Sequence, residues 1–296
     1  MIHTIDLKHQ KLDNVIASFL VETSEGPVLI ESGPYSAYPQ LKTGVEKLGY
    51  HIDDIHHVLL THIHFDHAGA AWALAEKGAN IYVHPIGYPH MIDPSKLVNS
   101  ATRIYGDQME TLWGALNPIS PSNLVTCDHK ETISIGDQSF VSWHTPGHAN
   151  HHIAWQWNNN LFTGDVAGVK IQSGIIVPPC PPPDINLEKW QESINLIRSL
   201  PLAHLYLTHY GRIDDIPGHL DGLEKILYNW AQWMKPYAEE ACDVKDITPL
   251  FQNYVAGQLK DFGISETGIL QYESANPSWM SVAGLMRYWN KKFQDS

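Results

Sequence analysis

Short apolar runs closed by polar or glycine-rich breaks alternate with amphipathic stretches through the first two thirds of the chain. Val15 to Glu22 reads as a strand, Ser24-Glu25-Gly26 as a turn and Val28 to Glu31 as the returning strand. Tyr38 to Leu48 has the helical period and stops at Gly49. Val58-Leu59-Leu60-Thr61 is a buried-strand pattern, Ala70 to Lys77 a helix closed by Gly78, and Ile81-Tyr82-Val83 another strand. Pro94 to Leu116 is mostly helical in character. The period then changes: Phe140 to His144 reads as strand, and Ile153 to Trp157, Asn158-Asn159-Asn160 and Leu161 to Thr163 as a hairpin. Leu187 to Leu200 reads as a helix and Leu205 to Thr208 as a buried strand. The recurrence of strand, loop, helix and strand predicts an α/β fold. After Gly211 strand signals give way to helical ones, over 217–262 and 280–294. The expected organisation is therefore a core over residues 1–212 and a helical extension over 213–296.

Composition narrows this further. Of 296 residues, 43% are hydrophobic and 17% charged, which suits a packed core rather than a disordered chain. Nineteen basic residues against 32 acidic ones give a net charge of −13, which disfavours nucleic-acid binding. A small-molecule substrate is expected instead. Cys127, Cys180 and Cys242 are far apart, so neither a disulfide framework nor a cysteine zinc site follows. The opening MIHTIDLKHQKLDN has no apolar signal core, and no run approaches the length of a membrane span. These features predict a cytoplasmic protein with no membrane contact. Trp230, Trp233, Tyr237, Trp279 and Trp289 load the tail with aromatics, as core or as the contact of a two-fold dimer.

The chemistry concentrates in Thr61-His62-Ile63-His64-Phe65-Asp66-His67. With 18 histidines in the chain some clustering is expected by chance, but histidines interleaved with a carboxylate are the donor set of borderline metals. On an extended strand end, His62, His64 and Asp66 share one face, and His67 sits at the turn into the next helix. Three further segments each put one ligand-type residue just past a strand: Thr145-Pro146-Gly147-His148, Phe162-Thr163-Gly164-Asp165 and Leu207-Thr208-His209-Tyr210-Gly211. That edge of an α/β sheet is where sites assemble.

THIHFDH, TPGH, TGD and LTHYG, in that order, resemble the metallo-β-lactamase fold superfamily over about residues 15–211. The resemblance implies a four-layer αβ/βα sandwich, here with added C-terminal helices. By residue, it implies that His62, His64 and His148 hold one metal and Asp66, His67 and His209 a second, with Asp165 bridging them. Two divalent ions are expected, zinc first, with iron or manganese as alternatives. Two metals about 3.5–4 Å apart share a hydroxide of near-neutral pKa, the expected nucleophile, with Asp66 orienting it or shuttling a proton.

Departures from family patterns sort the members. Antibiotic-degrading members are usually exported and lack the bridging aspartate, and nucleic-acid-processing members carry an added domain or basic arm. Lactonases of acyl-homoserines carry a tyrosine where this chain has Gly168. Glyoxalase-II-like thioesterases use basic residues near C-terminal helices; Lys235, Lys245 and Lys260 form no such motif. Glu31 stands where most members have aspartate, altering the packing behind the ligands. The layout resembles metallohydrolases loosely related to the lactonases and implies a dinuclear-metal hydrolase of a small ester-like substrate, a lactone or thioester. The alternative is a persulfide dioxygenase with one iron on His62, His148 and Asp165. Tyr105, Trp113, His152 and Tyr210 are the candidate substrate contacts, and Gly168–Pro183 a candidate pocket wall stiffened by proline.

Overall fold

The computed structural model describes residues 1–294. Two six-stranded sheets make its centre. One has β1 (Ile2–Asp6), β2 (Ala17–Thr23), β3 (Gly26–Ile30), β4 (His57–Leu59), β5 (Asn80–Val83) and β6 (Leu124–Thr126) in that spatial order. Strands β1 to β3 are antiparallel neighbours, and β3 to β6 are parallel. The other contains β7 (Thr132–Ile135), β8 (Gln138–His144), β9 (Ile153–Trp157), β10 (Asn160–Gly164), β11 (His204–Leu207) and β12 (Gly211–Ile213), also in chain order. Only β10 and β11 are parallel there.

Parallel neighbours need crossovers, and the helices supply them. Helix α1 (Tyr38–Lys47) joins β3 to β4, while α2 (Phe65–Ala68) and α3 (Ala71–Ala75) join β4 to β5. Next, α4 (Tyr88–Ile92), α5 (Ser95–Tyr105) and α6 (Met109–Leu112) lead to β6, and α7 (Leu187–Ser199) joins β10 to β11. Four helices follow β12: α8 (Ile216–Glu239), α9 (Val244–Asp261), α10 (Glu266–Ala275) and α11 (Ser278–Gln294).

The side-chain alternation of the strands sorts the core into layers. Phe19, Val21, Val28, Ile30 and Leu59 of the first sheet meet Phe140, Ile153, Trp155, Phe162 and Tyr206 of the second in an inner cluster. The intervening residues, among them Leu20, Leu29, Val58, Ala154, Leu161 and Leu205, join Leu41, Val45, Leu74, Trp190 and Ile194 of the helices. Helix, sheet, sheet and helix thus form the four layers of an αβ/βα sandwich. Each wholly buried Leu, Ile or Phe in it stabilises the fold by about 1.5–3 kcal/mol.

Several elements depart from the sequence pattern. Strands β1, β6, β7 and β12 form where no strand is read from the apolar runs, because they are short or half-exposed edge positions. The helical stretch from Pro94 is interrupted by a 3-10 turn at Gly106–Gln108, where Gly106 has φ +51°. The long tail helix breaks before Val244, whose helix is capped by the Asp243 side chain accepting from the Lys245 amide. Helix α10 is absent from the pattern reading altogether.

The tail is bound to the core at two levels. Leu220 and Leu223 of α8 share a cluster with Trp190 of α7. Further on, the Tyr272 hydroxyl accepts from the Ile171 amide (3.0 Å) and donates to the Ile175 carbonyl (2.7 Å). Gly284 of α11 lies so close to the Gly168–Pro183 segment that a Cβ there would fall 1.9 Å from the Cys180 carbonyl oxygen. Trp230, 1% exposed, is core, packed edge-on against Phe251. Among the described residues no helix is long and apolar enough to cross a membrane.

Candidate metal centre

The chain leaves β4 at Leu59 and bends at Thr61, passing through His62 before α2 begins at Phe65. The shared-face argument holds for His62 and His64, whose Nε2 and Nδ1 atoms approach to 2.9 Å. It fails for Asp66, which lies in the first turn of α2 rather than on an extended end. The helical turn brings Asp66 and His67 together, with the His67 ring centroid 3.9 Å from that of His62. His148 arrives on the loop after β8, held by Gly147: at φ +135° a Cβ there would fall 2.3 Å from the Trp190 Cα. Asp165 follows β10 and His209 follows β11.

Asp165 stands between two imidazole sets. Its Oδ2 is 3.3 Å from His148 Nε2 and 4.0 Å from His62 Nε2, and His64 Nδ1 is 3.1 Å from His148 Nε2. Its Oδ1 is 3.3 Å from His67 Nε2 and 3.4 Å from His209 Nε2. Asp66 Oδ2 closes the second set, 3.3 Å from His209 Nε2 and 3.6 Å from His67 Nε2. Candidate ligand atoms of His62, His64 and His148 lie within 4.8 Å of one another, as do those of Asp66, His67 and His209.

The donor chemistry fits metal ions. His67 Nε2, His209 Nε2 and Asp165 Oδ1 are buried without a hydrogen-bond partner. Such orphaned groups cost about 1–3 kcal/mol each unless something completes them. Their opposite ring nitrogens are tied down, which fixes the tautomer. His148 Nδ1 donates to the Pro179 carbonyl (2.8 Å) and His209 Nδ1 to the Val15 carbonyl (2.7 Å). His67 Nδ1 donates to Glu31 Oε1 (2.9 Å), and His62 Nδ1 to Thr61 Oγ1 (3.0 Å). Thr61 Oγ1 in turn donates to Glu31. The Nε2 atoms of all four imidazoles face Asp165 at the centre.

The charges of the centre pull its imidazoles in two directions. Burial alone would raise the Asp165 carboxyl, but His67, His148 and His209 outweigh it and hold it well below the usual range. Burial, reinforced by the neighbouring imidazoles, keeps His62 well below its ordinary value. Burial also presses on His67, yet Asp66, Asp165 and Glu31 carry it well above.

Glu31 is a buried carboxylate behind the centre whose full reach the sequence did not reveal. It is 0% exposed and sits at φ +64° directly after β3. Besides His67 and Thr61, it accepts from Thr208 Oγ1 (3.3 Å), so it supports residues at or beside His62, His67 and His209. Glu31→Gln is expected to weaken metal binding about 10–100-fold, measured by chelator competition. An affinity within twofold of wild type would remove Glu31 from that role.

Above the centre opens a cavity of about 460 Å³ with His64, Asp66, His148 and Asp165 in its floor. Its walls come from α5 (Leu97, Ile104, Tyr105), from Trp113, from Pro179 and Pro181–Pro183, and from the α10–α11 corner (Pro277, Met280). The Gly168–Pro183 segment is thus a wall in its second half. Tyr105 lines the cavity, as the sequence reading expects, and so does Trp113. Two other expected contacts lie elsewhere. His152 is fully buried, accepting from the Asp165 amide (3.2 Å) and paired with Thr145 Oγ1 (2.8 Å), so it positions Asp165 and does not face substrate. Tyr210 packs against both apolar clusters and is not among the lining residues.

Buried imidazoles and carboxylates gathered at one edge of an αβ/βα sandwich define a metal-binding protein of that class. The chain belongs to the metallo-beta-lactamase superfamily, whose family profile matches residues 13–209. A metallo-beta-lactamase fold-containing protein of Sulfurisphaera tokodaii is 27% identical over 147 residues, 48% of this chain and 56% of that protein. A thioesterase of Emericella nidulans is 30% identical over 203 residues, covering 68% of this chain and 47% of its own length. A hydroxyacylglutathione hydrolase of Shewanella halifaxensis is 27% identical over 155 residues, 52% of this chain and 47% of that one. The chain spans about half the length of these curated relatives. A metallo-beta-lactamase family protein from Thermus thermophilus shares the fold over 99% of this chain and 94% of its own, with TM-score 0.70 and 16% identity.

Proposed function

We propose that the chain is a dinuclear-metal hydrolase of a small ester-like substrate, a thioester or lactone. The observation that carries this reading is Asp165, whose two oxygens face different imidazole sets. His62, His64 and His148 would hold one ion and Asp66, His67 and His209 the other, with Asp165 shared. Divalent ions at such positions supply Lewis acidity toward a carbonyl oxygen and activate water. The chain supplies the rest. Asp66 lines the cavity and its side chain is 19% exposed, so it can take up or return a proton at the reacting centre. Tyr105, Trp113, Ile104 and Met280 would receive the apolar part of the substrate and exclude water around it. Two relatives named as a thioesterase and a hydroxyacylglutathione hydrolase put thioesters ahead of lactones.

Elemental analysis of protein purified without added metal, followed by thioester and lactone assays, tests the reading. About two zinc, manganese or iron ions per chain are expected, with activity lost on chelation and restored on reloading. His62→Ala should fold and lose both metal and hydrolysis. A single tightly held iron per chain would instead favour the persulfide dioxygenase alternative.

A further inference from the structure

A second cavity, also about 460 Å³, opens beside the first. The two share Asn150 and Asp184 in their linings. Their chemistry differs. The first is walled mainly by apolar side chains, while Lys189, Lys291, Lys292 and Tyr288 line the second. The partition between them is built from the Asn150 amide donating to Asp184 Oδ2 (3.2 Å) and from Pro183 at the end of the proline segment. The Pro183 carbonyl accepts from Lys291 Nζ and Arg287 Nε, both at 3.4 Å. Arg287 and Lys291 lie one turn apart on α11, and Lys189 faces them from α7. Lys292 pairs with Glu188 at the same place.

The chain as a whole carries 32 acidic residues against 19 basic ones, so this cluster reverses the sign of the molecule locally. Lysine heads on flexible stems are point-charge partners for phosphate. A space of this size exceeds what a lone carboxylate fills. We propose that the second cavity holds a phosphate-bearing thiol leaving group of a thioester whose apolar acyl group lies in the first. The proposal rests on the hydrolase reading above and assigns its substrate class. In the reaction the oxygen of water bonds to the acyl carbon, the carbon–sulfur bond breaks, and a carboxylate and a thiol leave, one proton of water passing to sulfur and the other to solvent.

The test compares hexanoyl-coenzyme A with the same acyl group on N-acetylcysteamine, which has no phosphate, using the metal-loaded protein. The expected kcat/KM is at least about tenfold higher for the phosphorylated thioester, and the advantage shrinks as salt rises toward about 0.5 M. In Lys189→Gln combined with Lys291→Gln, both at exposed positions, the ratio between the two substrates should fall toward one. Calorimetric titration with free coenzyme A reads the cavity without turnover and should show binding weakened about tenfold in the same variant. Equal kcat/KM for both thioesters, with a ratio the variant leaves unmoved, overturns the proposal while the hydrolase reading stands. If neither thioester is hydrolysed the thioester proposal falls and the hydrolase reading rests on the lactone assays, and coenzyme A binding that the variant does not weaken overturns the cavity assignment as well.

Discussion

Asp165→Asn is expected to lose more than a hundredfold in kcat/KM for whichever substrate the wild type hydrolyses, and to lose bound metal with it. Removing a group that only orients a ligand costs about 10–100-fold, and Asp165 faces the reacting centre directly. Its side chain meets His148 at 3.3 Å through one oxygen and His67 at 3.3 Å through the other. Asparagine keeps the shape but offers a single oxygen and no charge, so one of the two imidazole sets must face an amide NH₂. Folding should survive, because the Asp165 backbone amide still donates to His152 Nε2. Circular dichroism would establish that, and elemental analysis would count the metal. A folded variant with full metal content and activity within tenfold of wild type would show that Asp165 does not join the two sets.

How legible this was from sequence depends on what each residue needs. The residues gathered at the centre were readable as candidates because most follow a short apolar strand and carry donors of the same chemical kind, as at Leu59 to His62 and Phe162 to Asp165. The strands were readable as apolar runs, but with both faces buried nothing in the sequence sorted Phe19 and Val21 to the inner layer and Leu20 and Leu29 to the outer. What failed was reach. Tyr210 directly follows the ligand-type His209 yet packs against the apolar clusters, because both residues lie in the turn after β11 and not on an extended strand end. Met280 and Pro277 lie far along the chain from the cavity over the centre, as does Lys291 from the cavity beside it, and no local pattern announces that α10 and α11 fold back there. The lysines visible as a weak set in the sequence, Lys235, Lys245 and Lys260, are not those that line a cavity. Glu31 was noticed as a departure, but its contacts to three separate segments exist only after the sheets close.

Trp155→Ala should cost about 3–5 kcal/mol, a large share of the roughly 5–15 kcal/mol that holds a domain folded. Trp155 is 0% exposed at the middle of the inner layer, among Ile30, Leu59, Phe140 and Phe162. Nothing in that layer can relax far enough to refill an indole-sized gap. The residue also reaches across the sandwich, its Nε1 donating to the Leu60 carbonyl at 2.9 Å, while the Ile153 amide donates to Thr61 (2.7 Å) one residue further on. These two bonds tether the second sheet to the chain immediately before His62. Trp155→Phe separates packing from tethering: it keeps most of the apolar volume but leaves the Leu60 carbonyl buried without its donor, for a smaller loss of about 1–3 kcal/mol. Urea unfolding of the metal-free protein measures both costs, and chelator competition on folded Trp155→Phe measures the tether. A loss under about 1 kcal/mol for Trp155→Ala would contradict the close packing of the inner layer. Metal affinity unchanged in Trp155→Phe would assign the placement of His62 to the Thr61 tether and to Glu31, with the indole serving stability alone.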